Sequence, residues 1–274
     1  MDNRILWYCL VTGIAGGAMT LCAGFLLRRY PQTVTNFRGT PVMVGYGLYL
    51  AVWALAPAVF TMKLDAARTL GFVIPLASLA ALGYLDDRLG SHGRGGFKGH
   101  ILAFVRDRRI TTGFAKLIGG GVAALIGASM LKADDMSAVR VICDGTIIAL
   151  CANFVNLLDL RPGRAGYTFL LFWVLVLGGV RSVDYAAVSI PAALATALLV
   201  RKDSRGEWIM GDVGSNTLGA MLGIGIVIGF GVWQRIAVLV ALILVHAFAE
   251  RYSISEAIQN SRILSAIDRR LGVR

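Results

Sequence analysis

Nine apolar runs separated by short polar connections leave this chain few ways to fold. They cover about Ile5–Leu27, Val42–Thr61, Leu70–Leu85, Gly113–Leu131, Val141–Leu158, Gly166–Val180, Asp184–Val200, Asn216–Gly231 and Val232–Ala249. A helix needs about 20 apolar residues to cross a bilayer, and most of these runs approach that length. The runs at Leu70 and Gly166 are short, and only Gly231-Val-Trp-Gln-Arg235 parts the last two, so eight or ten spans also fit. A strand-built barrel needs period-two alternation, which is missing. With 57% hydrophobic and 16% charged residues and a mean hydropathy of +0.69, the chain lacks the polar surface of a soluble domain of its length. The expected fold class is all-α, a polytopic membrane domain over residues 1–249. Residues 250–274 form a tail of the same domain.

Ile5–Leu27 is too long for a signal peptide and no small-residue cleavage site follows it, so it reads as a span. Most of the 27 lysines and arginines fall in the odd-numbered connections. The positive-inside rule then puts the N-terminus outside and the C-terminus in the cytoplasm. The net charge of +11 is spread over separate loops and fits anionic headgroups or phosphorylated substrates rather than nucleic acid. In the tail, Ile254, Ile258, Leu264, Ile267 and Leu271 recur at helical spacing with Arg262, Arg269 and Arg270 between them. That pattern suits a helix along the inner leaflet, or a solvated basic tail.

Acidic residues near spans carry the chemical signal, because each costs about 2.5 to 3.5 kcal/mol at mid-bilayer on insertion scales. Asp86, Asp87, Asp159 and Asp212 all fall at or just beyond the same expected side. If their helices pack together, the carboxylates converge and must share protons or a cation. Oxygen ligands without a histidine or cysteine cluster favour Mg²⁺ or Mn²⁺. Lys116 and nearby arginines complete a setting for phosphate. Adjacent helical residues diverge by about 100°, so Asp86 and Asp87 cannot act as one side-by-side dyad.

Two further segments add detail. In Ile209-Met-Gly-Asp-Val-Gly-Ser-Asn-Thr-Leu-Gly219, glycines flank Asp212, and Ser215 or Asn216 can cap a following helix whose free N–H groups suit a phosphate. Asn153, Asn156 and Asp159 are spaced by three and share one helical face. Each segment alone also fits an ordinary role: acids paired with loop arginines, a capped helix, interhelical hydrogen bonds. Cys9, Cys22, Cys143 and Cys151 lack metal or redox spacing, and His92 and His100 lack a third nitrogen ligand.

In this order the segments resemble the polyprenyl-phosphate N-acetylhexosamine-1-phosphate transferase family. The family's Asp-Asp pair ending its third span is matched by Gly83-Tyr-Leu-Asp-Asp-Arg88. Its Asn-x-x-Asn-Leu-x-Asp segment is matched by Asn153-Phe-Val-Asn-Leu-Leu-Asp159, and its Met-Gly-Asp-x-Gly-Ser-x-x-Leu-Gly segment from Met210 to Gly219. Arg38-Gly-Thr-Pro41 is similar to a basic stretch after the first span, and Lys116 stands where the family has a lysine opening the fourth.

The resemblance implies transfer of a sugar-1-phosphate from a UDP-sugar to undecaprenyl phosphate, with Mg²⁺, at the cytoplasmic face of the bacterial plasma membrane. Asp86, Asp87 and Asp212 would then be catalytic: Asp86 near the lipid phosphate, Asp87 on the nucleotide side, and Asp212, with Asp87, at the metal. Asn153, Asn156 and Asp159 would line the nucleotide pocket and Lys116 would bind phosphate. Arg38, Arg161, Arg164 and Arg262 would form a basic rim, and Trp208 could stack on a base. A homodimer is one assembly such a chain can form.

Departures fall in recognition segments. Leu160-Arg-Pro-Gly163 replaces a second family aspartate, and Lys202-Asp-Ser-Arg-Gly-Glu-Trp-Ile209 lacks the family's asparagine, proline and phenylalanine. Arg262-Ile-Leu-Ser-Ala-Ile-Asp-Arg-Arg-Leu-Gly272 stands where a histidine-rich loop is usual, and no tenth span follows. A polyprenyl-phosphate-binding paralogue without turnover, or an intramembrane aspartyl peptidase built on Met210-Gly-Asp212, are the other readings.

Overall fold

The computed structural model describes residues 18, 21, 25, 29, 33–35, 39–60, 66–89, 105, 106, 108, 111–131 and 137–272. Most of the expected span Ile5–Leu27, together with Arg38, His92 and His100, lies outside them.

Strands β1 (Thr33–Thr35) and β2 (Pro41–Val44) come first. Helices α1 (Gly47–Phe60), α2 (Ala66–Leu89), α3 (Thr112–Leu131), α4 (Ala138–Leu158), α5 (Arg164–Gly179) and α6 (Val183–Ser204) follow. A two-residue strand β3 (Trp208–Ile209) precedes α7 (Gly211–Gly229), α8 (Val232–Ala249), α9 (Ile254–Asn260) and α10 (Arg262–Leu271). Six of the described helices, α2, α3, α4, α6, α7 and α8, are long and apolar enough to cross a membrane. The fold is therefore helical and membrane-associated, save for one short ladder.

Some spans differ from expectation. The run Val42–Thr61 divides, because its first residues pair as β2 and only 14 residues remain for α1. Helix α5 has 16 residues. Neither reaches spanning length, whereas α2 extends to 24 residues and takes in both aspartates of the pair. Pro75 and Pro191 sit inside α2 and α6; neighbouring helices make such prolines tolerable in a membrane setting.

Helix α7 is the core of the bundle. In its most apolar stretch 89% of residues are buried, against 17% in α8, which therefore lies on the perimeter. The many glycines of α7 permit this position. A Cβ on Gly223 would lie 2.6 Å from the Cα of Ile148, so α7 and α4 approach almost backbone to backbone, as small residues allow in membranes. Leu218, Met221 and Ile224 of α7 join Leu50, Leu76, Ile147, Phe169 and Val188 of its neighbours in one apolar core.

The ladder fixes where α7 starts. β2 runs antiparallel to β1 and parallel to β3, with Met43 opposite Trp208 and Val44 opposite Ile209. Gly45 N–H donates to the Ile209 carbonyl at 3.0 Å and Gly47 N–H to that of Met210 at 3.1 Å. These bonds hold the first turn of α7 beside the first turn of α1.

Candidate functional site

The C-terminal end of α2 meets the N-terminal ends of α3 and α7, and there the sequence-predicted acids gather. Gly83 permits the approach, because a Cβ there would lie 2.6 Å from the Asp212 carbonyl oxygen. Lys116, one turn into α3, donates to Asp86 Oδ2 at 3.0 Å and also to Asp212 Oδ2. Lys116 thereby draws the Asp86 and Asp212 carboxyl groups to one point. One ammonium thus sits between two half-buried acids.

Asp87 points elsewhere, as the 100° between neighbours requires. Its Oδ1 accepts the Asp212 N–H at 2.9 Å and its Oδ2 the Val213 N–H at 3.3 Å. Asp87 thus caps α7 from another helix. Gly211, at φ +76°, makes the tight entry to α7, and a Cβ there would sit 2.7 Å from Asp87 Oδ2. Two of the N–H groups at this helix start, the expected phosphate seat, are thus taken by Asp87. Ser215 and Asn216 do not cap a helix either, since α7 begins at Gly211. Their side chains reach one turn back, Asn216 Nδ2 donating to the Asp212 carbonyl at 2.7 Å and Ser215 Oγ to the Gly211 carbonyl at 3.1 Å. Ser215 Oγ also lies 2.9 Å from Asn156 Oδ1, joining α7 to α4.

A cavity of about 470 Å³ opens from this cluster between α2, α3 and α4. Asp86, Lys116, Asn153, Asn156, Asn216 and Glu250 line its polar end. Leu79, Leu117, Leu125, Ile142 and Leu150 make the remaining walls apolar. Asn153 and Asn156 therefore do face a cavity.

Asp159 follows α4 behind this end. Burial, together with the charges of Asp203, Asp212 and Asp87, pushes its carboxyl well above the usual carboxylate range, although the Gly211 N–H bonds to it. Tyr46 lies beside it and donates to Asp203 Oδ2 at 3.0 Å. Burial and the Asp203 and Asp159 charges hold the Tyr46 hydroxyl well above its ordinary value. Sequence reasoning missed both residues. Asp203 lies in the charged run Arg201–Arg205, which reads as a loop, although an acid ending an apolar run was the signal used for Asp86.

Other assigned residues lie apart. Arg164 is buried and grips the tail: Nε donates to Asp268 Oδ1 at 3.1 Å, Nη2 to Asp268 Oδ2 at 2.9 Å and Nη1 to Ser255 Oγ at 3.0 Å. Its donors are engaged by the tail, and it stands outside the cavity lining. Arg161 and Arg262 are exposed and outside the cavity lining. Trp208 is also outside it, with the Lys202 ammonium 4.3 Å from its ring centroid and the Tyr46 ring 6.1 Å away.

The donor set bears on a divalent cation. Among the described residues no three His, Cys, Asp or Glu side chains gather around one point. Mg²⁺ commonly takes only one or two carboxylates with substrate phosphate oxygens. Asp86 and Asp212 meet that need, since both already turn toward one positive charge. Asp87, expected as the second ligand, has both oxygens on α7 amides. A scan of protein-family models finds no match to the chain, and a search of curated proteins finds none either.

Proposed function

We propose that the chain is a phosphoglycosyl transferase, moving a sugar-1-phosphate from a nucleotide-sugar to polyprenyl phosphate with Mg²⁺. One observation carries this reading: Asp86 and Lys116 line the polar end of a largely apolar cavity, and Lys116 also bonds Asp212 behind it. An isoprenoid chain suits such walls, and its phosphate suits the Lys116 end. Asp86 and Asp212 would hold the ion, which would neutralise charge developing on the transferred phosphoryl group. Lys116 would bind a phosphate oxygen, and Asn153 and Asn156 would offer amides to the nucleotide-sugar. In this reading the acid end faces the cytoplasm, as the distribution of basic residues argues.

The test uses purified protein with radiolabelled undecaprenyl phosphate and a panel of UDP-sugars. Labelled lipid-linked sugar and free UMP are expected with Mg²⁺ and neither after chelation. Lipid binding with no nucleotide released from any sugar nucleotide would support a non-catalytic binder instead.

The convergence of Asp86 and Asp212 on one lysine favours a second reading, an aspartyl peptidase. Its dyad shares a proton, whereas here Lys116 bonds both acids. Peptide cleavage surviving complete chelation would favour it.

A further inference from the structure

We propose that the outward face of α10 binds the anionic headgroups of the bilayer in which the chain sits. The proposal rests on membrane association and not on transfer chemistry.

The tail leaves α8 at Glu250, which lines the polar end of the cavity, so α9 and α10 begin at the Lys116 end of the bundle. Ser253 and Ser261 cap them, accepting the N–H groups of Glu256 and Leu264. The side chains of α10 then divide. Ser265 is buried and Asp268 turns inward to Arg164. Ile263, Leu264, Ile267 and Leu271 turn outward, with 73%, 49%, 49% and 39% of their surfaces exposed. Arg262, Arg269 and Arg270 are exposed on the same helix.

Charge decides the occupant. The single acid of α10, Asp268, is already matched by Arg164, so the helix presents guanidinium groups and a row of alkyl side chains together. That combination fits the level where acyl chains meet phosphates. A second copy placed on this face would bring like charges together, because a two-fold contact sets the same patch against itself. A ten-residue helix is too short to be stable alone in water. Here the Arg164 clamp holds its inner side, and Gly272 closes against the Pro162 carbonyl, where an added Cβ would lie 2.8 Å away. The foot therefore rests on the turn that joins Asp159 to α5.

Hydrogen exchange on the full chain tests this, with one protomer per nanodisc. Discs of phosphatidylcholine are compared with discs containing a third phosphatidylglycerol. Amides of residues 262–271 should exchange about tenfold more slowly in the anionic discs, because docking suppresses local opening. High salt should erase the difference. The Arg262→Gln/Arg269→Gln/Arg270→Gln variant should exchange alike in both lipids, and its unchanged exchange in α2 and α7 would report an intact fold. Equal exchange of the wild type in both discs overturns the proposal. So does protection that needs two protomers per disc, or that needs an added soluble protein. Transfer activity enters none of these readouts, so its presence or absence leaves them unaffected.

Discussion

Asp86 and Asp87 are consecutive, yet one side chain meets Lys116 and the other meets the amides of α7. Their substitutions should therefore fail differently. Asp87→Ala strips α7 of its cap and should cost about 0.5–2 kcal/mol, read as a lower midpoint of thermal unfolding in detergent. Asp86→Asn should leave that midpoint near wild type while abolishing transfer. Asp159 adds a pH dependence. Its carboxyl holds its proton to higher pH in the folded chain than in the unfolded one. Below about pH 4, the ordinary aspartate value, both states are protonated and the group is neutral in its effect. As pH rises further, the unfolded chain releases the proton first, so the Asp159 contribution to stability falls until the folded group also ionises. Asp159→Asn should remove that decline. Thermal midpoints of variant and wild type should converge at pH 4 and separate, variant higher, toward pH 7. A gap that stays constant with pH would contradict the proton-retaining Asp159.

At the scale of elements, the close approach of α2 to α7 is what brings Asp86 and Asp212 to one lysine. Gly83→Ala should push the two helices apart and cut transfer at least tenfold, since small displacements of reacting groups carry large rate penalties. Its check is the rate beside that of Gly178→Ala, where an added Cβ meets open space away from the cavity. Away from the cavity, α8 is pinned to α4 by a buried ion network. Arg235 Nη1 lies 2.5 and 2.6 Å from the two oxygens of Asp144, and Arg140 Nη1 lies 3.3 Å away. Asp144 is 1% exposed, so Asp144→Ala would take from the buried Arg235 the carboxylate that faces it. The expected loss is about 3–5 kcal/mol, measured by unfolding in detergent; a change below 1 kcal/mol would contradict the arrangement.

Across the whole molecule, what was legible in the sequence follows from range. Runs of spanning length are local, and the ends of α3, α4 and α8 fall within a few residues of the expected ones. The association of Asp86, Lys116 and Asp212 was also legible, because charged groups at the ends of apolar runs must find one another. Non-local pairing was not. Hydropathy cannot tell a buried strand from a helix over Val42–Val44, whose partners, Trp208 and Ile209, lie far along the chain. Nor does the sequence pair Arg164 with Asp268, which belongs to the distant tail. The same blindness hid Tyr46 and Asp203, which meet only in the folded chain. The cluster at the cavity's polar end remains the central claim. Its most direct test is the rate of sugar-1-phosphate transfer to polyprenyl phosphate by Asp86→Asn, Lys116→Gln and Asp212→Asn, each with its unfolding midpoint. A working cluster predicts transfer by wild type and losses of at least about a hundredfold in all three variants at near-native midpoints. Wild-type rates in any one of them, with the fold intact, would contradict it.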